Sequence, residues 1–363
     1  MKLDHFGIEV LDLFTVELFY RTALGFAPRY RYVSANSPGL RTVFLERDGI
    51  RLELLERPRD AGFLQQRALA PDHLSFEVAD VDGEFARLSA LGFTGVKLKP
   101  PRDTGDGFRE MEIRDPEGNV VELSARIRPE PRYPIRAVIF DLDGTLLDTE
   151  ENYYEADRRV LAAHGISFSK EDKRRYIGGS TRDMMIDVQR RFDLRATPDE
   201  LIASKNALYL EIAREATVLY PEMARLLELV RARGLPVAIA SGSSPGVLRT
   251  VLEAVRLIPG MEVVVSAEEV PRGKPHPDVF EEAARRLGIP AHECLAVEDS
   301  RQGVEAAKRA FMRCIAVPYL TDRPLSDRFA MADLLFNEGM KSFDADVAFR
   351  WIEKRLEGRI PEN

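Results

Sequence analysis

The sequence predicts two units in tandem: an α+β unit made of two copies of one strand–helix–strands pattern, then an α/β unit with a parallel sheet and a helical insertion. Three observations predict this. "DHFGIEVLD" at 4–12 returns as "DHLSFEVAD" at 72–80. "RPEPRYPIR" at 128–136 sets three prolines among charges, which favours an extended linker over helix or sheet. Beyond it, wholly apolar runs alternate with helical periodicity, the mark of a parallel sheet covered on both faces. The expected divisions are 1–127, the linker 128–136, and 137–363.

The repeat reaches past its opening. "ALGF" occurs at 23–26 and 90–93, and "DGIRLELLER" at 48–57 is answered by "EGNVVELSAR" at 117–126, with the offset drifting only between 67 and 69. Each copy reads as an alternating strand, an amphipathic helix ("LFTVELFYRTAL", "VDGEFARLSAL") closed by Gly, and further strands parted by turn residues. The Gly/Pro-rich "KLKPPRDTGDG" at 97–107 reads as a hairpin loop, with a lid as the alternative. His5 and His73 fall at matched places in the two copies, as do Glu53 and Glu122. Two imidazoles and two carboxylates suit a divalent ion such as Zn²⁺, Ni²⁺, Co²⁺, Mn²⁺ or Fe²⁺. Glu9 and Glu77 are duplicated too, but four residues along a strand is about 13 Å, too far for the same ion; Glu56 is the fallback for Glu53.

In the second unit "AVIFDLD" (137–143), "PVAIAS" (236–241), "EVVVSA" (262–267), "CLAVED" (294–299) and "CIAVP" (314–318) read as buried strands. Between about 150 and 219 only helical patterns occur, which indicates an insertion after the first strand. Asp141 and Asp143 share one face at the end of the first strand. Ser241 ends the second, Lys274 follows the third, and Glu298 and Asp299 end the fourth. Ligands of open α/β sheets bind at that edge. Gathered carboxylates call for a hard cation such as Mg²⁺, a carboxylate can attack phosphorus, and a lysine with a hydroxyl can hold phosphoryl oxygens.

With these motifs in this order, the second unit resembles the haloacid dehalogenase superfamily, whose sheet is Rossmann-like and whose insertion is a helical cap. The resemblance implies Asp141 as nucleophile, Asp143 as general acid/base, and Ser241 with Lys274 as the phosphoryl clamp. It places Mg²⁺ on Asp141, Asp299 and the backbone carbonyl of Asp143, with Glu298 assisting. An acid at 143 favours a phosphatase or a sugar phosphomutase over a dehalogenase or transport ATPase. The resembling β-phosphoglucomutases carry His where this chain has Tyr153, and cap cations near Ile177 and Thr181, with Arg182 one place on. A phosphomonoesterase acting on a small phosphorylated metabolite is therefore expected, with the mutase as the alternative.

The first unit resembles the vicinal oxygen chelate superfamily, in which paired βαβββ modules curl around a metal. The order His, Glu, His, Glu is most like glyoxalase I, where a carbonyl substrate passes through an enediolate and a glutamate moves the proton. Lyase or isomerase chemistry is implied, a coenzyme-A thioester being one candidate substrate; a non-catalytic ligand-binding module is the alternative. The ligands meet either within one chain or across a homodimer formed through this unit.

Composition limits the partners. Of 363 residues, 45% are apolar and 31% charged, as in an ordinary globular chain, and a net charge of −8 with interspersed signs offers no stripe for nucleic acid. Two cysteines are too few for a disulfide framework. "MKLDHFGIEV" has acids where a signal peptide needs an apolar core, and no run spans a membrane, so the expected location is the cytoplasm.

Overall fold

In the computed structural model, which describes residues 2–35, 37–58, 71–91, 97–114, 120–177, 180–257, 261 and 263–357, the chain divides into two compact units. They are Met1–Arg132 and Tyr133–Asn363. The second copy's Gly92 and Phe93 and its turn at 117–119 lie outside the described residues.

In the first unit each copy lays down a parallel pair of strands. Lys2–Glu9 lies beside Ile50–Glu56, and Pro71–Glu77 beside Val120–Arg126. The two leading strands then pair antiparallel and fuse the copies into one sheet. Its order is Ala27–Val33, Arg41–Arg47, Ile50–Glu56, Lys2–Glu9, Pro71–Glu77, Val120–Arg126, Phe108–Arg114 and Lys97–Leu98. Either edge reads inward through the same succession, so an approximate twofold axis passes between the leading strands. Residues 97–103 contribute two short edge strands, Lys97–Leu98 and Arg102–Asp103, both paired with Phe108–Arg114. The stretch is thus part of the sheet's edge and not a detached lid.

Helix Leu13–Thr22 opens where the Asp12 carboxylate accepts from Thr15 N at 3.2 Å, satisfying one of the free amides of the first turn. It buries Leu13 and Phe14 together with Glu17, a charge that survives burial because Arg31 reaches it at 2.5 and 2.7 Å.

The second unit holds six parallel strands in the order Val263–Ser266, Val237–Ser241, Ala137–Phe140, Cys294–Glu298, Arg313–Ala316 and Leu334–Leu335. Ala137–Phe140, Val237–Ser241 and Cys294–Glu298 are buried throughout, which is why they read as unbroken apolar runs. In chain order the sheet runs third, second, first, fourth, fifth, sixth. The connections therefore reverse direction between Ala137–Phe140 and Cys294–Glu298, and the crevice opens at that switch point.

Between residues 150 and 216 the described elements are the helices Glu150–Ala163, Lys170–Arg174, Thr181–Phe192 and Pro198–Ala216. Two start from reciprocal capping boxes, Ser169 with Asp172 and Thr197 with Glu200, the latter with Pro198 in its first turn. They enclose a small core of their own, including Leu161, Met185, Val188 and Leu201. A two-stranded ladder, Leu147–Asp148 against Val218–Leu219, stands where the chain leaves for these helices and returns. Among the described residues no helix is long and apolar enough to cross a membrane.

Candidate functional sites

At the switch point of the second unit, Asp141 follows the first strand and is anchored by its N–H donating to Val297 O at 2.9 Å. Lys274 Nζ lies 2.5 Å from Asp141 Oδ1 and 2.5 Å from Glu298 Oε1, and donates to Ala240 O at 3.1 Å. Asp143 turns to a different set of partners. Thr149 Oγ1 donates to its Oδ1 at 2.8 Å, while Ser241 Oγ at 3.0 Å and Ser243 Oγ at 2.7 Å donate to its Oδ2. Asp299 Oδ1 accepts from Thr145 Oγ1 at 3.1 Å.

All six residues singled out by sequence therefore meet, in two clusters. Ligand atoms of Asp141, Glu298 and Asp299 lie within 4.8 Å of one another; the Asp143 side chain belongs to the hydroxyl cluster instead. Glu298 is committed on both oxygens, one to Lys274 and the other to Ser300 N at 2.8 Å and Ser300 Oγ at 3.0 Å. Asp299 Oδ2 is the contrasting case: buried and with no hydrogen-bond partner. Gly144, at φ 84°, allows this approach, since a Cβ there would come within 2.5 Å of that oxygen. Burial drives the Asp141 carboxyl up to about 8, Lys274 opposing and Glu298 and Asp143 adding to the rise. Burial, then the neighbouring Glu298, Asp141 and Glu150, push Asp299 well above its ordinary range. An orphaned buried oxygen among mutually repelling carboxylates is what a hard divalent cation relieves, so the residues fit one.

The helical insertion forms one wall of the crevice, whose cavity of about 50 Å³ has room for a few waters. From the insertion, Glu150, Tyr153, Ile177, Thr181, Lys173 and Lys205 face it. Both lysines are buried around Asp157, Lys173 Nζ at 2.8 Å from Oδ2 and Lys205 Nζ at 2.9 Å from Oδ1. Tyr153 OH bonds Ser243 Oγ at 2.5 Å and so joins the Asp143 cluster. Thr145, Thr149, Ser243 and these lysines escaped sequence reasoning; the second serine of "SGSS" was the available hint for Ser243.

In the first unit His5 Nε2 lies 2.9 Å from His73 Nε2, and Glu53 Oε2 lies 3.4 Å from His5 Nε2 and 3.3 Å from His73 Nε2. All three residues come from one chain, so the group does not need a dimer to form. Burial works against a charged His5, but Asp4, at 2.8 Å from Nδ1, and Glu53 outweigh it and raise its pKa to about 9. The imidazoles in turn overcome burial and hold Glu53 down at about 2. Two facing ring nitrogens and a carboxylate match the donor set of a transition metal or zinc.

Glu122, expected as the fourth ligand, is not in this group. Its Oε1 accepts from Ser75 Oγ at 2.9 Å. Three of the four expected ligands are thus gathered, and Glu122 lies in the wall of the same pocket. That pocket, of about 430 Å³, falls in the range of small-molecule sites. It also takes in Glu110, whose carboxyl is pushed up to about 8 by burial and then by Glu122.

Comparison with known proteins agrees with both halves. Residues 135–310 match the haloacid dehalogenase-like hydrolase model, and residues 2–123 match that of the Glyoxalase/Bleomycin resistance protein/Dioxygenase superfamily. Protein CbbY of Rhodobacter capsulatus is 35% identical over 213 residues, covering 55% of this chain and 91% of that protein. The chain belongs to the haloacid dehalogenase-like hydrolases. Hexitol phosphatase B of Escherichia coli K12 is 33% identical over 202 residues, covering 55% of this chain and 90% of that protein. Among solved structures, this hydrolase resembles CbbY of Rhodobacter sphaeroides in complex with phosphate, with TM-score 0.52 and 27% identity over 57% of this chain and 95% of that one. A mutant of the same CbbY, in complex with xylulose-(1,5)bisphosphate, has TM-score 0.51 and 27% identity over 58% of this chain and 99% of that one.

Proposed function

We propose that residues 137–363, capped by the helices of 150–219, form a Mg²⁺-dependent phosphomonoesterase for small phosphorylated metabolites, and that residues 1–127, joined by the linker 128–136, form a divalent-metal unit. The observation carrying the first reading is the pair of clusters around Asp141 and Asp143. Asp141 Oδ1 is held by Lys274, which leaves Oδ2 to attack phosphorus. As the new O–P bond forms, the ester O–P bond breaks and Asp143 gives the departing oxygen a proton. Asp143 then takes a proton from water, whose oxygen attacks the aspartyl-phosphate, releasing inorganic phosphate and restoring Asp141. Lys274 and Ser241 hold the phosphoryl oxygens. Asp141, Asp299 and the backbone carbonyl of Asp143 would hold the Mg²⁺, whose chemistry is to neutralise phosphoryl charge; Glu298 acts mainly by fixing Lys274.

A phosphomutase is the second reading. Against it, Tyr153 occupies the place of the mutase histidine and is tied to Ser243. Phosphorylated-metabolite substrates are supported by the names of similar proteins and by Lys173 and Lys205 at the cleft. Incubation with sugar phosphates decides: inorganic phosphate is expected, and an isomerised sugar phosphate without phosphate release would establish the mutase.

For the first unit, a metal-assisted lyase or isomerase is the reading, and a binding module is the alternative. His5, Glu53, His73 and Glu122 lining one pocket, with Glu110 in its wall, support proton-transfer chemistry. Metal content and bound-ligand mass spectrometry on purified protein test it. A chain without stoichiometric metal in this unit would favour the binding module.

A further inference from the structure

The wall that the helical insertion gives to the phosphatase crevice carries more positive charge than its own acids take up. Lys173 and Lys205 reach it from two different helices, Lys170–Arg174 and Pro198–Ala216, and both are buried. Asp157, from a third helix, Glu150–Ala163, lies between them at 2.8 and 2.9 Å. It is the one carboxylate that either lysine touches among the described residues. Each ammonium also faces the ring of Tyr153, whose centre is 5.4 Å from Lys173 Nζ and 4.9 Å from Lys205 Nζ.

An ammonium carries three hydrogen-bond donors, and a ring face offsets charge without accepting as an oxygen does. Beyond Asp157, no oxygen acceptor is found for either lysine among the described residues. Glu150 is the complementary case. It is 8% exposed, lines the same crevice, and its Oε2 has no hydrogen-bond partner. Buried polar groups are normally satisfied, so donors and an acceptor left over at one cleft point to a ligand that supplies their counterparts. The charge balance agrees. Burial lowers the Lys205 pKa, with Asp157 opposing and Lys173 adding to the fall. Burial also raises Glu150 to about 7, so near neutrality it supplies only part of a second negative charge. Two ammonium groups thus share one committed carboxylate, and an incoming anion would complete the pairing.

We propose that Lys173 and Lys205 are specificity-determining residues that bind a second anionic group of the substrate, a carboxylate or phosphate on the alcohol that departs, while Glu150 takes a hydroxyl beside it. The inference rests on the phosphatase reading given above and narrows it. The preferred metabolite is a phosphorylated hydroxy acid or a sugar bisphosphate, and not the phosphate of a neutral sugar or polyol. Such an ester presents its reacting phosphate to Asp141 on the sheet and its second charge to the helices.

The test compares kcat/KM of the full chain, with Mg²⁺, for substrates matched except in that second group. Phosphoglycerate and glycerol phosphate, each esterified at a terminal carbon, differ by a carboxylate against a hydroxymethyl group, as do phosphogluconate and sorbitol phosphate. Fructose bisphosphate against fructose monophosphate supplies the phosphate case. The acidic member of at least one pair should be favoured about tenfold or more, chiefly through KM, and the pair that shows it tells carboxylate from phosphate. Lys173→Met and Lys205→Met should each bring that ratio within about threefold of unity, whereas Lys173→Arg, which keeps the charge, should retain most of it. A ratio taken within one preparation cancels any loss of folded protein, which a purely structural role would impose equally on both members. Hydrolysis of para-nitrophenyl phosphate by the native chain with no acidic member favoured would overturn the inference without any variant. So would a preference that survives both Met substitutions. If the native chain hydrolyses para-nitrophenyl phosphate no faster than Asp141→Asn, the phosphatase reading itself falls, and this inference with it.

Discussion

Replacing Asp141 by Asn exchanges one carboxylate oxygen for an amide nitrogen, and the structure lets its chemical and structural effects be separated. An amide cannot form the acyl-phosphate, so turnover should fall at least about 10³-fold, or about 4 kcal/mol in the barrier. The surroundings should tolerate the change. Lys274, which loses a charged partner, keeps Glu298 at 2.5 Å and the Ala240 carbonyl at 3.1 Å. Burial already raises the Asp141 carboxyl to about 8, so near neutral pH without metal the amide replaces a group that is largely protonated. Without added metal, the variant's unfolding temperature should therefore equal or exceed that of the native chain, the trade between stability and activity expected where a site gathers repelling groups. Phosphate release with Mg²⁺ and calorimetry without it supply the two readings. Turnover within about tenfold of native by a folded variant would refute Asp141 as nucleophile. Lost turnover with a fall in unfolding temperature above about 5 °C, more than 1 kcal/mol in a domain of this size, would mean that the residue is structural instead.

Other outcomes follow from the same geometry. Asp157→Asn leaves two buried ammonium groups facing a neutral amide, so the second unit should lose about 3–5 kcal/mol, seen as a drop of roughly 6–20 °C in its unfolding temperature. Burial opposes the charge on Asp157, but Lys173 and Lys205 hold its pKa below the ordinary 3.8. This stabilisation is thus complete above that value and lost as pH falls through the lower folded-state pKa, so the difference between native and variant should shrink in acid. Thr145→Val removes the donor to Asp299 Oδ1 and should raise the Mg²⁺ concentration for half-maximal activity about ten- to a hundredfold while sparing turnover at saturating Mg²⁺. A fragment beginning at Tyr133 should keep phosphatase activity, because each unit encloses its own core; a soluble but inactive fragment would contradict modularity.

Much of the second site was legible because a strand buried on both faces shows as an unbroken apolar run, and the first polar residue after it marks the sheet's ligand-binding edge. Asp141, Ser241 and the Glu298–Asp299 pair stood out in this way. The sixth strand, Leu334–Leu335, and the ladder of Leu147–Asp148 with Val218–Leu219 are two residues long, too short for any period to register. Thr145, Thr149 and Ser243 are ordinary turn and cap residues whose roles arise only once strands distant in sequence lie side by side. In the first unit the duplication revealed the candidate ligands but not the direction of the Glu122 carboxylate. That carboxylate accepts from Ser75 on the neighbouring strand, a contact that depends on a register sequence alone does not specify.

The ladder has a mechanical meaning beyond joining elements. Because the outgoing and returning segments are hydrogen-bonded to each other, the two chain connections of the four helices act as one strap and not as two independent tethers. Tyr153 and Tyr209 of these helices also pack in the core of the parallel sheet, so packing holds the helices to it as well as the ladder does. A metabolite larger than a few waters would enter this crevice only as those contacts yield, and turnover would then be paced by that opening as well as by the chemistry beneath it.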